Sequence, residues 1–351
     1  MSSLATKLTA RFQWASSPLI VSAPMRVMAG PALAVAVSRA GGLGFIGPTI
    51  KTNEMLAVLK EASALTRKST NLALPASKNL PVGVGFQLWS DDLETATQAV
   101  EKYKPCVVWL YAPKDVKDLD TWSRRFRDVS SETQIWVQVG TLAEVRALLK
   151  AAQPPDAIVI QGSEAGGHGR ASDGLGLFSL LPEAVDLVAG RIPLLAAGGI
   201  ADARGASAAL CLGASGVVLG TRFLASTEAK INPGYQREII RADDGAVSTT
   251  RTLLYNHLRG VTGWPKEYSP RGVINRSFIE HQAGTSFDEL KKRHDELVRL
   301  GEKAWGPDGR TATYAGASVG LVRNVKDAGD IVREIQEGVR RMLRHEEGAK
   351  L

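Results

Sequence analysis

The stretch that decides the fold is Ile192-Pro193-Leu194-Leu195-Ala196-Ala197-Gly198-Gly199-Ile200, an apolar run that ends in two glycines. A short apolar run bounded by turn residues is typical of a strand buried on both faces, as the strands of parallel sheets are. The segment 216–222, Gly-Val-Val-Leu-Gly-Thr-Arg, repeats the arrangement after a helix-forming stretch. The two runs and the sequence between them therefore predict a strand–helix–strand unit of a parallel sheet.

The same alternation extends from this unit toward the N-terminus. Helix-forming sequence follows each of six further apolar runs, which lie at residues 19–23, 43–46, 82–86, 106–110, 135–139 and 157–160. Eight strands with a helix after each one predict an α/β protein with a closed (β/α)8 barrel, the TIM barrel, which needs roughly 250 residues. An open doubly wound sheet shares the alternation, but the count continues to eight and no G-x-G-x-x-G follows the first strand.

After the eighth strand the sequence pattern changes. Residues 225–318 are polar, prone to helix formation and rich in arginine, and we interpret them as a helical cap inserted over one face of the barrel. Apolar residues then recur at helical spacing from Asn324 to Leu343, which indicates an amphipathic helix that closes the barrel. The sequence thus predicts three parts: the barrel at 1–224, the cap at 225–318, and the closing helix with a C-terminal tail at 319–351.

The composition argues against several classes of protein. The chain of 351 residues has 43 lysines and arginines against 36 acidic residues, a formal net charge of +7, but its basic residues are scattered and it has no nucleic-acid-binding motif. Its two cysteines are too few and too far apart for a disulfide framework or a metal site. No apolar run approaches the roughly 18 residues of a membrane span. We therefore expect neither nucleic acid, nor membrane, nor metal as a partner.

Glycines follow the seventh and eighth strands, where the phosphate sites of this architecture recur. Gly198 and Gly199 leave bare backbone N–H groups after the seventh strand, and Gly220 with Thr221 starts a helix after the eighth. Each pair alone fits an ordinary turn. Two such pairs at matching barrel positions favour a site for a phosphate group.

A glycine-rich segment follows the sixth strand and reads Gly162-Ser163-Glu164-Ala165-Gly166-Gly167-His168-Gly169-Arg170. Since His168 has no apolar neighbours in this segment, a histidine buried in the core is not expected. An imidazole with a pKa near neutrality suits proton transfer, or hydrogen bonding to an oxygen that gains charge. A histidine on a solvated surface loop is the alternative.

Two further groups lie near the ends of predicted strands. Ala23-Pro24-Met25 follows the first strand and offers apolar atoms on which a ring system packs, although packing in the core explains the same residues. Gln87 and Gln138 belong to the third and fifth strands, where an amide hydrogen-bonds ring nitrogens and carbonyls. Solvated loop residues are the alternative for these two glutamines.

Four ordered motifs make the sequence resemble the nitronate monooxygenases, the 2-nitropropane dioxygenase family. The opening signature consists of Ala23-Pro24-Met25, Pro31-Ala32-Leu33-Ala34 and Ala40-Gly41-Gly42-Leu43-Gly44. Glu164-Ala165-Gly166-Gly167-His168 is similar to the family's active-site loop. Residues 196–200, 208–214 and 220–223 are similar to its phosphate-binding end, and residues 314–321 to a late segment.

The resemblance implies FMN as the cofactor and oxidation of alkyl nitronates by O2 to a carbonyl compound plus nitrite or nitrate. Neutral nitroalkanes are a second candidate form of the substrate. His168 corresponds to the family's catalytic histidine. The residues that we assign to FMN from their place in these motifs and strands are Ala23, Pro24, Met25, Gln87, Gln138, Ala165, Gly166, Gly167, Gly198, Gly199, Gly220 and Thr221.

Arg26 and Tyr314 are the candidate substrate residues. Arg26 follows Met25 where many family members have a small residue, and Ala203 replaces a frequent glycine. A cation beside Met25 favours a small anionic substrate, here the nitronate, which reacts with O2. A surface arginine that packs on the cap is the alternative for Arg26. The oligomeric state is not predicted.

Other FMN barrels are the rival interpretations. The FMN-dependent enoyl-ACP reductases share the barrel and the Gly-Gly-His loop, but they need a nicotinamide to reduce the flavin. A 2-hydroxy acid oxidase is disfavoured because residues 136–140 lack the expected lysine. Chemistry of the IMP dehydrogenase type needs a loop cysteine, whereas Cys106 starts a strand and Cys211 lies in a helix. A flavin-binding protein without activity gives no reason for His168.

The last three residues, Ala349-Lys350-Leu351, resemble the Ser-Lys-Leu class of peroxisomal address. We expect a peroxisomal location if the source is a eukaryote, and a cytoplasmic location otherwise.

Overall fold

The computed structural model describes residues 3–67 and 78–348. A parallel sheet forms the centre of this structure. The strands of this part of the chain are, in order, β1 (Ile20–Ser22), β2 (Phe45–Ile46), β3 (Leu80–Gln87), β4 (Pro105–Tyr111), β5 (Gln134–Val139), β6 (Ala157–Gln161), β7 (Gly167–Arg170), β8 (Leu194–Ala197), β9 (Gly216–Leu219), β10 (Thr249–Arg251) and β11 (Tyr268–Val273). The parallel sheet has the order β1-β9-β8-β6-β5-β4-β3-β2, and β7, β10 and β11 lie outside it.

Backbone hydrogen bonds close this sheet into a barrel. Val21 of β1 pairs in parallel with Leu43, just before β2. The N–H of Leu43 donates to the carbonyl of Ile20 at 2.9 Å, and the N–H of Ser22 donates to the carbonyl of Leu43 at 3.1 Å. Each of the eight predicted apolar runs overlaps one strand of the closed sheet, so the predicted (β/α)8 barrel is confirmed.

Helices connect the barrel strands and cover them from outside. The α-helices of the described chain are α1 (Ser3–Ala10), α2 (Pro31–Arg39), α3 (Met55–Arg67), α4 (Leu93–Tyr103), α5 (Val116–Val129), α6 (Leu142–Leu148), α7 (Leu177–Val188), α8 (Ala203–Cys211), α9 (Thr221–Leu224), α10 (Pro233–Arg241), α11 (Gly245–Ser248), α12 (Leu254–Leu258), α13 (Arg276–Gln282), α14 (Phe287–Val298) and α15 (Ala328–Gly348). Three short 3-10 helices lie at Thr52–Glu54, Gly301–Ala304 and Val319–Leu321. Asp92, Asp115, Thr141 and Asp202 start α4, α5, α6 and α8 because each side chain accepts a hydrogen bond from an N–H of the first turn.

Aromatic side chains fill the interior of the barrel. The rings of Phe45 and Trp109 meet edge to face, with their centroids 5.1 Å apart, and Trp136 packs against both. Phe12, just after α1, places its ring 6.1 Å from that of Trp136. Close packing inside a barrel leaves no channel through it.

The cap differs from its sequence prediction in one respect. Residues 225–318 contain α10–α14, as predicted, but they also contain β10 and β11. These two strands form an antiparallel sheet with β7, in which His168 lies opposite Pro270. The glycine-rich segment after β6 is therefore partly a strand and not wholly a loop. The sequence signal for a strand is weak here, because Gly167-His168-Gly169 and Pro270 are poor strand formers.

The last helix, α15, completes the outer layer. It packs against α8, which precedes β9, and against α2, which follows the neighbouring strand β1. The predicted start at Asn324 is wrong by four residues, since α15 begins at Ala328 and Val325 lies before it, partly exposed. The tail residues Ala349-Lys350-Leu351 lie outside the described residues. Within the described part of the chain, no helix is long and apolar enough to cross a membrane.

Candidate active site

A cavity of about 450 Å³ lies at the C-terminal ends of the barrel strands. All the site residues predicted from the sequence line it, namely Ala23, Pro24, Met25, Arg26, Gln87, Gln138, Ala165, Gly166, Gly167, His168, Gly198, Gly199, Gly220, Thr221 and Tyr314. Ligand sites of (β/α)8 barrels occur at this end of the strands. The fold thus brings the predicted residues into one site, and their individual roles stay proposals.

The end of the cavity beside β8 and β9 is built from bare backbone. Gly198 has φ +104° and Gly199 has φ +71°, a conformation that side chains rarely adopt. A Cβ at Gly198 would lie 3.1 Å from the backbone N of Ala165, and a Cβ at Gly199 would lie 3.2 Å from Cβ of Glu164. These positions therefore require glycine, and they expose main-chain groups to the cavity. We call this end the glycine cup.

Thr221 belongs to the same cup and ties it to the late segment of the chain. Its Oγ1 accepts a hydrogen bond from the N–H of Gly316 at 2.9 Å. Gly220, which precedes it, has only Cβ of Ala23 and Sδ of Met25 near the place of a Cβ, each at 3.8 Å. An anion that enters between β8 and β9 would meet backbone N–H groups and a hydroxyl.

Two amides face the middle of the cavity. Gln87 is buried, and its Oε1 has no hydrogen-bond partner among the described residues. Oε1 of Gln138 accepts a hydrogen bond from the indole N–H of Trp109 at 3.2 Å, which leaves the NH2 group of Gln138 for another partner. A buried amide oxygen without a partner is costly, so this position suits a ligand that carries an N–H donor.

His168 occupies the wall of the cavity formed by β7. Its ring stacks on the indole of Trp264 with centroids 3.6 Å apart and planes 3° apart, and the ring of Tyr314 meets it edge-on at 5.7 Å. His168 has no apolar neighbours in its own segment, but the cap supplies the two aromatic rings that pack against it. The local sequence therefore did not indicate that aromatic rings surround the imidazole. Burial, together with the positive charges of Arg259 and Arg251, lowers the pKa of His168 to about 3. The imidazole is therefore neutral at physiological pH.

An arginine of the cap holds the backbone that carries His168. The guanidinium of Arg251 on β10 donates to the carbonyls of Ser163 at 3.1 Å and Ala165 at 3.0 Å, and also to those of Gly167 and Ser269. Burial lowers the pKa of Arg251 to about 10, which still leaves it charged near neutral pH. Arg251 thus fixes the segment on both sides of Gly166.

The fully charged side chains in the described lining of the cavity are all cations. Arg26, Lys230 and Arg259 line it, and none of the described residues that line it is acidic. The guanidinium of Arg26 donates to the carbonyls of Thr49 at 3.3 Å and Ile50 at 3.2 Å, which anchors it to the segment that follows β2. Three cations in a lining without acidic residues favour an anionic ligand, although Asp91, outside the lining, lies close enough to Arg26 for their charges to interact.

The sequence did not predict several residues of this wall. Asn256, Arg259 and Trp264 belong to the cap and lie far from the barrel motifs in the chain. Nothing in their local sequence distinguishes them from other residues of the cap. Trp109 and Tyr111 also line the cavity, but in the sequence Trp109 belongs to the apolar run 106–110 and Tyr111 follows it, so neither differs from a residue of a core strand.

A family model and a curated relative both identify one family. The sequence matches the nitronate monooxygenase family over residues 11–338. A nitronate monooxygenase of Metarhizium robertsii, npaC, is 54% identical over 332 residues, which cover 94% of this chain and 93% of that protein.

Two solved structures share the fold over nearly the whole chain. FabK from Thermotoga maritima superposes with a TM-score of 0.74 and 25% identity, and covers 97% of this chain and 98% of its own. A nitroalkane oxidase from Streptomyces ansochromogenes superposes with a TM-score of 0.71 and 26% identity, and covers 96% of this chain and 99% of its own.

Proposed function

The chain belongs to the nitronate monooxygenase family, and from this premise we propose that it is an oxidoreductase that uses O2 to oxidise alkyl nitronates to carbonyl compounds, with release of nitrite or nitrate. The observation that carries the proposal is the cavity itself. It combines a neutral His168 with three cations and has no acidic residue among its described lining, a composition suited to a small anion such as a nitronate.

FMN is the cofactor that the cavity fits. The glycine cup and Thr221 would hold its phosphate, and Met25, Gln87 and Gln138 would contact its ring, with Gln87 Oε1 taking a ring N–H as its missing partner. The residues along the rest of the cofactor would be Ala23, Pro24, Ala165, Gly166 and Gly167. When bound, FMN would accept two electrons from the substrate and return them to O2.

The chain's own residues would bind and orient the nitronate. Because the nitronate has already lost its α-proton, its oxidation requires no base. Neutral His168 would donate a hydrogen bond to a nitro oxygen, Arg259 would add positive potential, and Tyr314 would line the substrate site on the same wall. Arg26, at the rim, would hold a second anionic group of the substrate, such as a carboxylate.

Oxygen consumption on a panel of alkyl nitronates tests the proposal. The purified protein, with its FMN content measured, should consume O2 with nitronates in the absence of a nicotinamide. Each assay is repeated with NADH, and a separate assay follows NADH oxidation with an enoyl thioester. Turnover of the thioester without turnover of any nitronate would favour the alternative, an enzyme like the FMN-dependent enoyl-ACP reductases.

A peroxisomal location stays a prediction from Ala349-Lys350-Leu351. A fluorescent protein fused to the N-terminus of the chain should enter peroxisomes of a eukaryotic host, and deletion of the last three residues should leave it in the cytosol. A fusion that is cytosolic with and without these residues refutes the address.

A further inference from the structure

A chain of hydrogen bonds runs from Arg259 to His168, and its direction is fixed at one end. A guanidinium only donates hydrogen bonds. The guanidinium of Arg259 donates to the hydroxyl oxygen of Tyr314 and, at 3.3 Å, to Oδ1 of Asn256. Because Tyr314 accepts from Arg259, its single proton is free to go to Oδ1 of Asn256, which lies 2.9 Å away.

This arrangement fixes the side-chain amide of Asn256. Its Oδ1 faces two donors, so its NH2 group must point the other way, toward His168. Nδ2 of Asn256 lies 2.9 Å from Nε2 of His168. Asn256 is 1% exposed, so water cannot replace either partner if the amide turns over. An amide nitrogen only donates, and Nε2 of His168 must therefore be the acceptor.

The tautomer of His168 follows from this assignment. A neutral imidazole carries one proton, and if Nε2 accepts from Asn256 the proton is on Nδ1. Nδ1 has no hydrogen-bond partner among the described residues, while the His168 side chain lines the cavity. The stack on Trp264 and the hydrogen bond from Gln161 Nε2 to the His168 carbonyl, at 3.3 Å, hold the ring and its backbone in place.

We propose that Asn256 is a positioning residue that holds His168 in the Nδ1–H tautomer, so that the nitrogen left for the substrate is a hydrogen-bond donor and not a base. The inference rests on the proposed function and deepens it, because it selects the form of the substrate. A nitronate oxygen accepts the Nδ1–H. A neutral nitroalkane must instead give its α-proton to a lone pair, and the lone pair of His168 is on Nε2, occupied by Asn256.

The charges around His168 also oppose a role as a base. Arg251 on β10, Arg259 after α12 and Arg26 after β1 all oppose a positive charge on the ring, and Tyr314 presents a hydroxyl to the same network. A proton taken from a neutral substrate would make His168 cationic among three arginines. The surroundings thus disfavour the base role as well.

Replacement of Asn256 by aspartate reverses the polarity of the contact. Asp has the same shape, but its oxygens only accept, so Nε2 of His168 must carry a proton and Nδ1 becomes the free lone pair in the neutral ring. The ratio of turnover on neutral nitroalkanes to turnover on nitronates should therefore rise in Asn256→Asp by roughly tenfold or more, which is less than the roughly 10²–10⁴ of an optimally placed general base.

NMR of the holoenzyme labelled with ¹⁵N-histidine measures the tautomer directly. The wild type should show His168 protonated on Nδ1 near pH 7, and Asn256→Asp should show protonation on Nε2 or on both nitrogens. Wild-type His168 protonated on Nε2 would overturn the proposal, and so would an unchanged tautomer in Asn256→Asp. The wild-type spectrum needs no variant, so the proposal stays testable if Asn256→Asp does not fold.

Asn324→Asp is the control for an added negative charge. Oδ1 of Asn324 accepts a hydrogen bond from the guanidinium of Arg222 at 3.4 Å, a role that aspartate fills equally well, and Asn324 lines a surface cleft outside the cavity. Its substitution should leave the His168 spectrum and the substrate ratio unchanged. The NMR result does not depend on turnover, so a protein with the expected tautomer but no activity on any nitronate would refute the proposed function and leave the tautomer assignment intact.

Discussion

Backbone groups form one end of the cavity, and side chains form the other. The glycine cup consists of backbone from two neighbouring strand ends, Gly198 and Gly199 after β8 and Gly220 after β9. The wall around His168 consists of side chains from the cap, which reach the barrel through hydrogen bonds and ring contacts. A backbone site fails when a side chain intrudes, whereas a side-chain site fails when a donor, an acceptor or a charge is lost. The two ends should therefore respond to different substitutions.

The largest effect is expected at the glycine cup. Gly199→Val puts a β-branched residue at φ +71° with its Cβ 3.2 Å from Cβ of Glu164, so the backbone of the glycine cup has to shift. We expect FMN affinity to fall by roughly 100-fold, equivalent to about 2.7 kcal/mol. Fluorescence titration of the apoprotein with FMN measures the affinity.

Gly190→Val provides the control for backbone strain. Gly190 has φ +74° and no atom within 4 Å of the place of a Cβ, and it lies at the end of α7, away from the cavity. This variant should carry the same conformational strain and bind FMN normally. If both variants lost FMN equally, strain and not contact with the phosphate would explain the effect.

The second effect tests the other end of the cavity. His168→Asn removes the ring that stacks on Trp264 and replaces a fixed donor by a shorter, mobile amide. Turnover of nitronates should fall by roughly 10- to 100-fold, somewhat less than the loss of a complete oxyanion donor, while FMN content stays at the wild-type level. Stopped-flow reduction of the bound flavin by a nitronate measures the loss.

An unchanged rate in His168→Asn would remove His168 from the active site, and a loss of FMN would place it in the cofactor site. A parallel assay with a neutral nitroalkane distinguishes the two candidate roles of His168, hydrogen-bond donor and general base. A fall that is larger on the neutral form than on the nitronate would restore the base role.

The difference between the two ends also explains what the sequence could predict. Gly198, Gly199, Gly220 and Thr221 lie directly after apolar runs, so the barrel period places them together without knowledge of any side chain. Asn256 and Trp264 meet His168 only because the cap folds back and β11 pairs with β7. That pairing depends on weak strand formers, and no local pattern encodes it. The sequence therefore predicted the barrel and brought the glycines and His168 to one cavity, but it did not predict the partners of His168.

A smaller effect is expected at the rim, outside both ends. Arg26→Ala should raise KM for a nitronate that carries a carboxylate by about tenfold, as expected for one charge-assisted contact of about 1.4 kcal/mol. Its KM for a nitronate of similar size without a carboxylate should change little. Steady-state oxygen consumption gives both values.

Arg323→Ala is the control for a general change in charge, because Arg323 is exposed and lines a different surface cleft. Equal KM values of Arg26→Ala and wild type for the carboxylate-bearing substrate, with normal folding, would show that Arg26 does not contact it.

The smallest effect is expected from pH, and it again separates the two ends. The pKa of His168 is lowered to about 3 by burial and by the charges of Arg259 and Arg251. A lowered pKa means that the ring stays neutral at every pH well above 3, so it keeps the same tautomer and the same donor from about pH 5 to pH 8. With the nitronate prepared in advance and saturating, flavin reduction should change by less than about twofold over this range. A decline should begin only as the pH falls toward 4.

In Asn256→Asp a carboxylate faces the ring of His168, which raises the pKa of His168 and should move the decline in the rate to higher pH. Stopped-flow traces of the wild type and this variant at matched pH values provide the comparison. A wild-type rate that bends near pH 6.5 would show that His168 titrates as an ordinary histidine, and that the cations of the cap do not control the wall as the structure indicates.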